Sequence, residues 1–307
     1  MRVTMPVMYQ NATRSLRAKT EKIHQFTSQV SSGKRLLNPA DDPVAWAETG
    51  ALKQGLREMQ SFKKNLEFAS SWNAATENQL NRLHDSLTQA REIAIAANTP
   101  NSPEEKAAYL HQLDQIILEG VDAANSDYDG RYLFNGEKFG TTPPFEATTD
   151  PVSGEVLSVT DLQGGGDPLE VRVAKQRAQR VDLDGSSVFY ADGAPESIFQ
   201  HLLDLKEAIR MDDSDAIGDQ MEALEADQEN VRSRTTVVGA RMASFDNQLN
   251  ALANLEVHQS ETLSRLEGSD TSDMMEAITD LQQTRTVFES ALKVTSMMDD
   301  LNLTRFI

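Results

Sequence analysis

Five histidines, His24, His84, His111, His201 and His258, are the side chains whose type best suits proton transfer or metal binding near neutral pH. Each falls in a separate helix-periodic segment, with neither an H-E-x-x-H pair nor a carboxylate at partner spacing. They are read as surface or boundary residues. Two acidic runs imitate the opening of a calcium loop: Asp127 and Asp129 ahead of Gly130, and Asp182 and Asp184 ahead of Gly185. Neither run supplies the remaining ligands or the closing Glu of an EF-hand, so turn chemistry is the better account. Gly164, Gly165 and Gly166 lack a following Lys and helix start, which makes them a loose turn rather than a phosphate cradle. The chain has no cysteine, which removes disulfides, thiolate metal sites and a thiol nucleophile. No catalytic, cofactor-binding or metal-binding residue is assigned, and the chain is not read as an enzyme.

The elements that would have to position any such chemistry are of another kind. Inward from Met1, a helix-periodic stretch of about 29 residues precedes one of about 55. Inward from Ile307, about 30 precede about 54. Tyr9, Ala12, Leu16, Ile23, Phe26 and Val30 form a seam of alternating three- and four-residue steps, which Gly33 stops. In NPADDPV, Asn38 and Pro39 signal a turn, Asp42 is a cap and Pro43 suits the first helical position. The next seam runs from Met59 through Leu66, Asn73, Leu80 and Leu87 to Ala97, with Asn73 and Thr76 setting register. Ser102 and Glu105 form a capping box for a third helix, with Pro103 inside it. Between about 130 and 195 the runs become short, β-prone and broken by Gly, Pro and Asp, including LEVRVAK and RVDLDGSSVFY. These predict one small antiparallel sheet or barrel-like module. The fold class is mainly α: an elongated antiparallel helical rod, a coiled-coil-like bundle, with a small inserted antiparallel β module. The expected divisions are 1–37, 38–130, 131–195, 196–267 and 268–307.

Composition agrees with thin bundles, since 39% of residues are hydrophobic and 6% aromatic. The net charge of −19 argues against nucleic acid or an anionic membrane as the partner of the whole chain. Residues 1–64 hold 11 Lys and Arg against 5 Asp and Glu, a net +6 that leaves −25 for the rest. No run approaches a membrane span, and MRVTMPVMYQNATRSLR lacks the apolar centre of a cleavable signal peptide. The last helix places Phe288 and Leu292 on one stripe and Val294, Met298 and Leu301 on its neighbour, a face too wide for one partner helix. A hairpin of the two terminal helices would bury too little apolar surface to be secure alone. Leu16, Ile23, Phe26, Val30, Phe288, Leu292, Val294, Met298 and Leu301 are therefore the expected assembly interface with other copies.

The segment VSSGKRLLNPADDPVAWAE resembles the N-terminal signature of bacterial flagellins and hook-associated proteins. VVGARMASFDNQLNAL, with SRLEGSD further on, resembles the return half of the same family, and GRYLFNG is more typical of its junction-forming members than of flagellin. The ending MMDDLNLTRFI also departs from flagellin. The resemblance implies a structural subunit at the junction between hook and filament, assembled through its terminal helices into a ring or helical layer. It implies neighbouring hook-associated protein and flagellin as partners, and a cytoplasmic export chaperone at the C-terminal helix. It further implies an extracellular flagellar location, reached by type III export without a cleaved signal peptide. Gly33, Asn38, Pro39, Asp41, Asp42 and Pro43 would form the joint between inner tube and middle layer. Flagellin, or another type III-secreted helical rod, is the alternative. No cofactor, nucleic acid or membrane insertion is expected.

Overall fold

The computed structural model describes residues 5–136, 142–160, 162, 167–191, 195–268 and 271–303. The chain is mainly α. Its helices are α1 (Met5–Ser32), α2 (Pro43–Ala97), α3 (Pro103–Ala124), α4 (Gly185–Phe189), α5 (Ile198–Met211), α6 (Ser214–Glu267) and α7 (Thr271–Leu303). Strands β1 (Asp127–Tyr128), β2 (Arg131–Tyr132), β3 (Ala147–Thr149), β4 (Val156–Val159), β5 (Glu170–Ala174) and β6 (Arg177–Arg180) lie between α3 and α4. The chain divides into two compact units, residues 1–59 with 253–307, and residues 60–252. No helix among the described residues is long and apolar enough to cross a membrane.

The 60–252 unit is organised by the long seams. Leu66, Ala69, Asn73, Thr76, Leu80, Leu83, Leu87, Ala90, Ala94 and Ala97 of α2 are all buried, as the 3-4 spacing requires. Leu224, Val231, Val238 and Phe245 of α6 are fully buried in the same core. Asn73 sits on the seam because its amide has acceptors: it donates to Ala69 O at 2.8 Å and to Val181 O at 3.3 Å. The second bond ties α2 to the segment after β6. The capping box of α3 forms as the spacing predicts, with Ser102 and Glu105 bonding each other's main chain.

The β region differs from the single sheet or barrel the sequence suggests. It consists of three separate two-stranded antiparallel sheets, β1–β2, β3–β4 and β5–β6. The strands have two to five residues, too few to bury a face against one another. They bury it against helices instead, since Val156, Leu169, Val173 and Val181 join the core that α2, α3, α5 and α6 share. Phe134, Phe145, Phe189 and Phe199 pack together there, largely edge to face, with Phe145 4.8 Å from Phe189 and 4.9 Å from Phe199 between ring centres. RVDLDGSSVFY is not a strand throughout: it contains α4, started by Asp184, whose side chain accepts from Ser186 N.

In the 1–59/253–307 unit, α1 and α7 pack along each other. They run antiparallel, because Gly33 at the end of α1 faces Met274 in the first turn of α7. Among the described residues of this unit, the buried side chains at the joint end are Gln29, Leu36, Ala45, Thr49 and Glu267, and Met59 is buried further along α2.

Candidate functional site: the paired joints and the terminal helices

The N-terminal joint is built by hydrogen bonds its own residues supply. Gly33 adopts φ +67°, a left-handed conformation that costs little only in glycine, and its amide closes on Gln29 O at 2.9 Å. Asp41 gathers the turn, since one carboxylate oxygen accepts from Leu37 N at 3.0 Å and Asn38 N at 2.9 Å while the other faces Gln25 Nε2 at 3.3 Å. Asp42 caps α2 through Val44 N and Ala45 N, at 3.2 and 3.0 Å. Pro43 follows as the first helical residue. Asn38 contributes its carbonyl to Asp41 N at 3.1 Å, and Asn38 and Pro39 stand exposed at the tip.

Sequence reasoning missed the residue at the centre of this joint. Glu267, the last residue of α6, is 6% exposed. Its carbonyl accepts from Arg35 N at 2.8 Å and Leu36 N at 3.3 Å. One carboxylate oxygen meets Lys34 Nζ at 2.8 Å and the other meets Lys53 Nζ at 2.6 Å. Burial would raise this carboxyl, but hydrogen bonds from Lys34 and Lys53 outweigh it and hold it below the ordinary glutamate range. Gln29 Nε2 donates to Arg35 O at 2.8 Å, so the end of α1 holds the same segment. A gap of about 20 Å³ remains between Gln29, Gly33, Lys34, Arg35, Asp273 and Met274. Next in chain, Gly268 has φ +64°, and a Cβ there would lie 2.4 Å from Arg35 Cβ. The signal in the sequence was SRLEGSD, whose Glu-Gly pair marks a helix end without naming its partners.

Among the described side chains of α1 and α7, no apolar one is buried. Leu16, Ile23, Phe26, Val30 and Phe288 are half-buried along the α1–α7 contact. Leu292 and Val294 are exposed, at 45% and 56%, alongside Val287 and Met297. The side chains of Met298 and Leu301 lie outside the described residues, as do Gly164, Gly165 and Gly166.

The histidines and acidic runs resolve individually. His24, His111 and His258 are exposed and His84 is half-buried. His201 corrects the surface reading: it is buried on α5, with Nδ1 2.7 Å from Asp227 Oδ2 on α6. That bond raises the imidazole above its ordinary range against the opposing effect of burial, and the charges of Asp227, Glu196 and Asp204 add to it. Asp127 accepts from Gly130 N at 3.2 Å in the β1–β2 turn, and Asp182 holds Arg180 and Leu169 N. Their carboxylates are thus engaged in local structure. Buried Lys206 binds Asp114 at 2.8 Å, Glu155 at 2.9 Å and Val156 O at 2.8 Å, fastening β4 to α3 and α5. Among the described residues, no group of three or more His, Cys, Asp and Glu is arranged to hold a metal ion.

Matched helical ends, a glycine-stopped joint and inserted hairpins define a class of long-helical protein with a small β insertion. Residues 3–138 match the family model described as the bacterial flagellin N-terminal helical region, a match that covers less than half of the chain. Among its curated relatives is flagellar hook-associated protein 3. The chain is 26% identical to that protein from Escherichia coli over 191 residues, covering 62% of this chain and 57% of the relative. It is 29% identical to the one from Salmonella typhimurium over 162 residues, covering 52% and 51%. The match therefore spans about half the length of these curated relatives. The crystal structure of flagellar hook associated protein-3 from Legionella pneumophila shares the fold, with a TM-score of 0.61 at 16% identity, over 72% of this chain and 99% of that one.

Proposed function

We propose that the chain is the structural subunit of the hook–filament junction, and that it assembles through α1 and α7. One observation carries the reading: a 28-residue and a 33-residue helix pack together without burying any described apolar side chain. A pair of that size gains its stability from further partners, because the hydrophobic term scales with the apolar area removed from water. Leu16, Ile23, Phe26, Val30, Phe288, Leu292, Val294, Met298 and Leu301 supply the interface to other copies in a ring or helical layer. Gly33, Asn38, Pro39, Asp41, Asp42 and Pro43 set the direction in which the terminal pair leaves α2. The likeness to hook-associated protein 3 supports the junction over the filament as the place of assembly. Its neighbours there are another hook-associated protein and flagellin. Before assembly the exposed stripe of α7 is covered by an export chaperone, and the chain leaves the cell by type III export.

A deletion strain tests the reading. Cells lacking the chain keep their hooks and shed filament subunits into the medium, and the intact gene restores filaments. Deletion cells that retain normal filaments would sink it. Loss of filament with no flagellin in the medium would favour flagellin as the identity.

A further inference from the structure

We propose that Glu267 is the catch of a latch that closes the N-terminal joint onto the end of α6, and that the closed latch makes the α1–α7 pair competent to assemble. The assembly clause rests on the junction reading above; the latch itself does not. A helix normally finds donors for its last carbonyls in the residues that follow it. Here α6 draws them from the far end of the chain, with Arg35 N and Leu36 N on Glu267 O and the Arg35 guanidinium on Leu266 O at 3.4 Å. The dependence is reciprocal. Residues 34–36 belong to no helix, and their main chain is held by Glu267 on one side and by Gln29 on the other.

The side chain turns this cap into a three-way tie. Lys34 comes from the joint, Lys53 from α2 and Glu267 from α6, and the two ammonium groups take separate oxygens of one carboxylate. The pair is 43% exposed on each lysine side and 9% on the glutamate, so the anion is sheltered while the cations reach in from solvent. Arg35 sends its guanidinium to Leu266 O, one residue back on α6. Asp273 of α7 approaches within 3.1 Å of where a Gly268 Cβ would stand, which brings the start of α7 to the same place. Without the glutamate charge, Lys34 and Lys53 would face each other across the joint with no carboxylate between them. The joint would then open, and α1 and α7 would lose their common anchor. A glycine at 268 is required for the close approach, since any Cβ there meets the Cβ of Arg35.

Hydrogen exchange on the full-length chain tests the latch without reference to assembly. Glu267→Gln keeps the main-chain acceptor and removes only the charge, and a Lys34→Met/Lys53→Met double variant removes the other side. Both are expected to speed exchange at the Arg35 and Leu36 amides and along α1 by fivefold or more, with residues 60–252 unchanged. Cells carrying Glu267→Gln are expected to shed filaments as the deletion strain does. Unchanged exchange at residues 34–36 in both variants overturns the latch. Equal acceleration throughout residues 60–252 also overturns it, because the glutamate would then serve general stability. Opened joints with filaments retained overturn the assembly clause. If the deletion strain itself keeps its filaments, the junction reading fails, while the exchange result still decides the latch.

Discussion

The two left-handed glycines of the joints should respond unequally to the same substitution. Alanine at residue 268 must adopt φ +64°, which costs about 1 kcal/mol for an L-residue. Its Cβ would lie 2.4 Å from Arg35 Cβ, an atom fixed to the main chain, so the joint strand has to move. Moving it breaks the Arg35 and Leu36 bonds to Glu267 O, worth about 1 kcal/mol each. Gly268→Ala should therefore destabilise the joint by roughly 3 kcal/mol. Gly33 has nearly the same dihedral, φ +67°, but its added Cβ would meet only the terminal methyl of Met274, at 3.3 Å. A flexible side chain can yield there, and Gly33→Ala should cost about 1 kcal/mol. The difference of about 2 kcal/mol is roughly thirtyfold in the opening equilibrium, measurable as amide exchange at residues 34–37. Equal effects of the two substitutions, or a Gly268→Ala effect below about 1 kcal/mol, would refute the reasoning.

Three further outcomes can be checked on the purified chain. Lys206→Met leaves Asp114 buried without its cation and Val156 O without its donor, and should cost about 3–5 kcal/mol in urea unfolding of residues 60–252; buried Trp72 gives the fluorescence signal. Because the folded His201 pKa lies above 6.5, its contribution is fully present below that pH and is lost as pH rises through the folded value. The urea midpoint of the same unit should thus fall as pH is raised from about 6.5, and Asp227→Asn should flatten the change. Asp42→Ala removes the α2 cap and should lower joint stability by about 1 kcal/mol, with Asp42→Asn restoring most of it in thermal melts.

Helices and their ends were legible because their signals are local. The α2 seam reads in steps of three and four, and Gly33, Asp42, Ser102 and Glu105 act within a few residues of where they stand. Glu267 was not legible as a centre, because Lys34 and Lys53 lie more than two hundred positions away in the chain and no pattern links them. Lys206 sits beside the seam residues Leu202, Leu205 and Ile209, where a lysine ordinarily faces water; its partners come from α3 and β4. His201 and Asp227 escaped for the same reason, being 26 residues apart on different helices. The hairpins misled through composition. Alternation identifies a strand but not the surface that will cover it, and here helices cover it.

The cap on α6 also has a meaning in time. Arg35 and Leu266 are 231 residues apart, and closing a loop of that length from a free chain costs on the order of 5 kcal/mol in entropy. Contacts so distant form late, after nearer ones have shortened the effective loop. A chain truncated before Glu267 would present α1 and its glycine stop but leave Arg35 and Leu36 nothing to hold, so this joint closes only once the polypeptide reaches the end of α6.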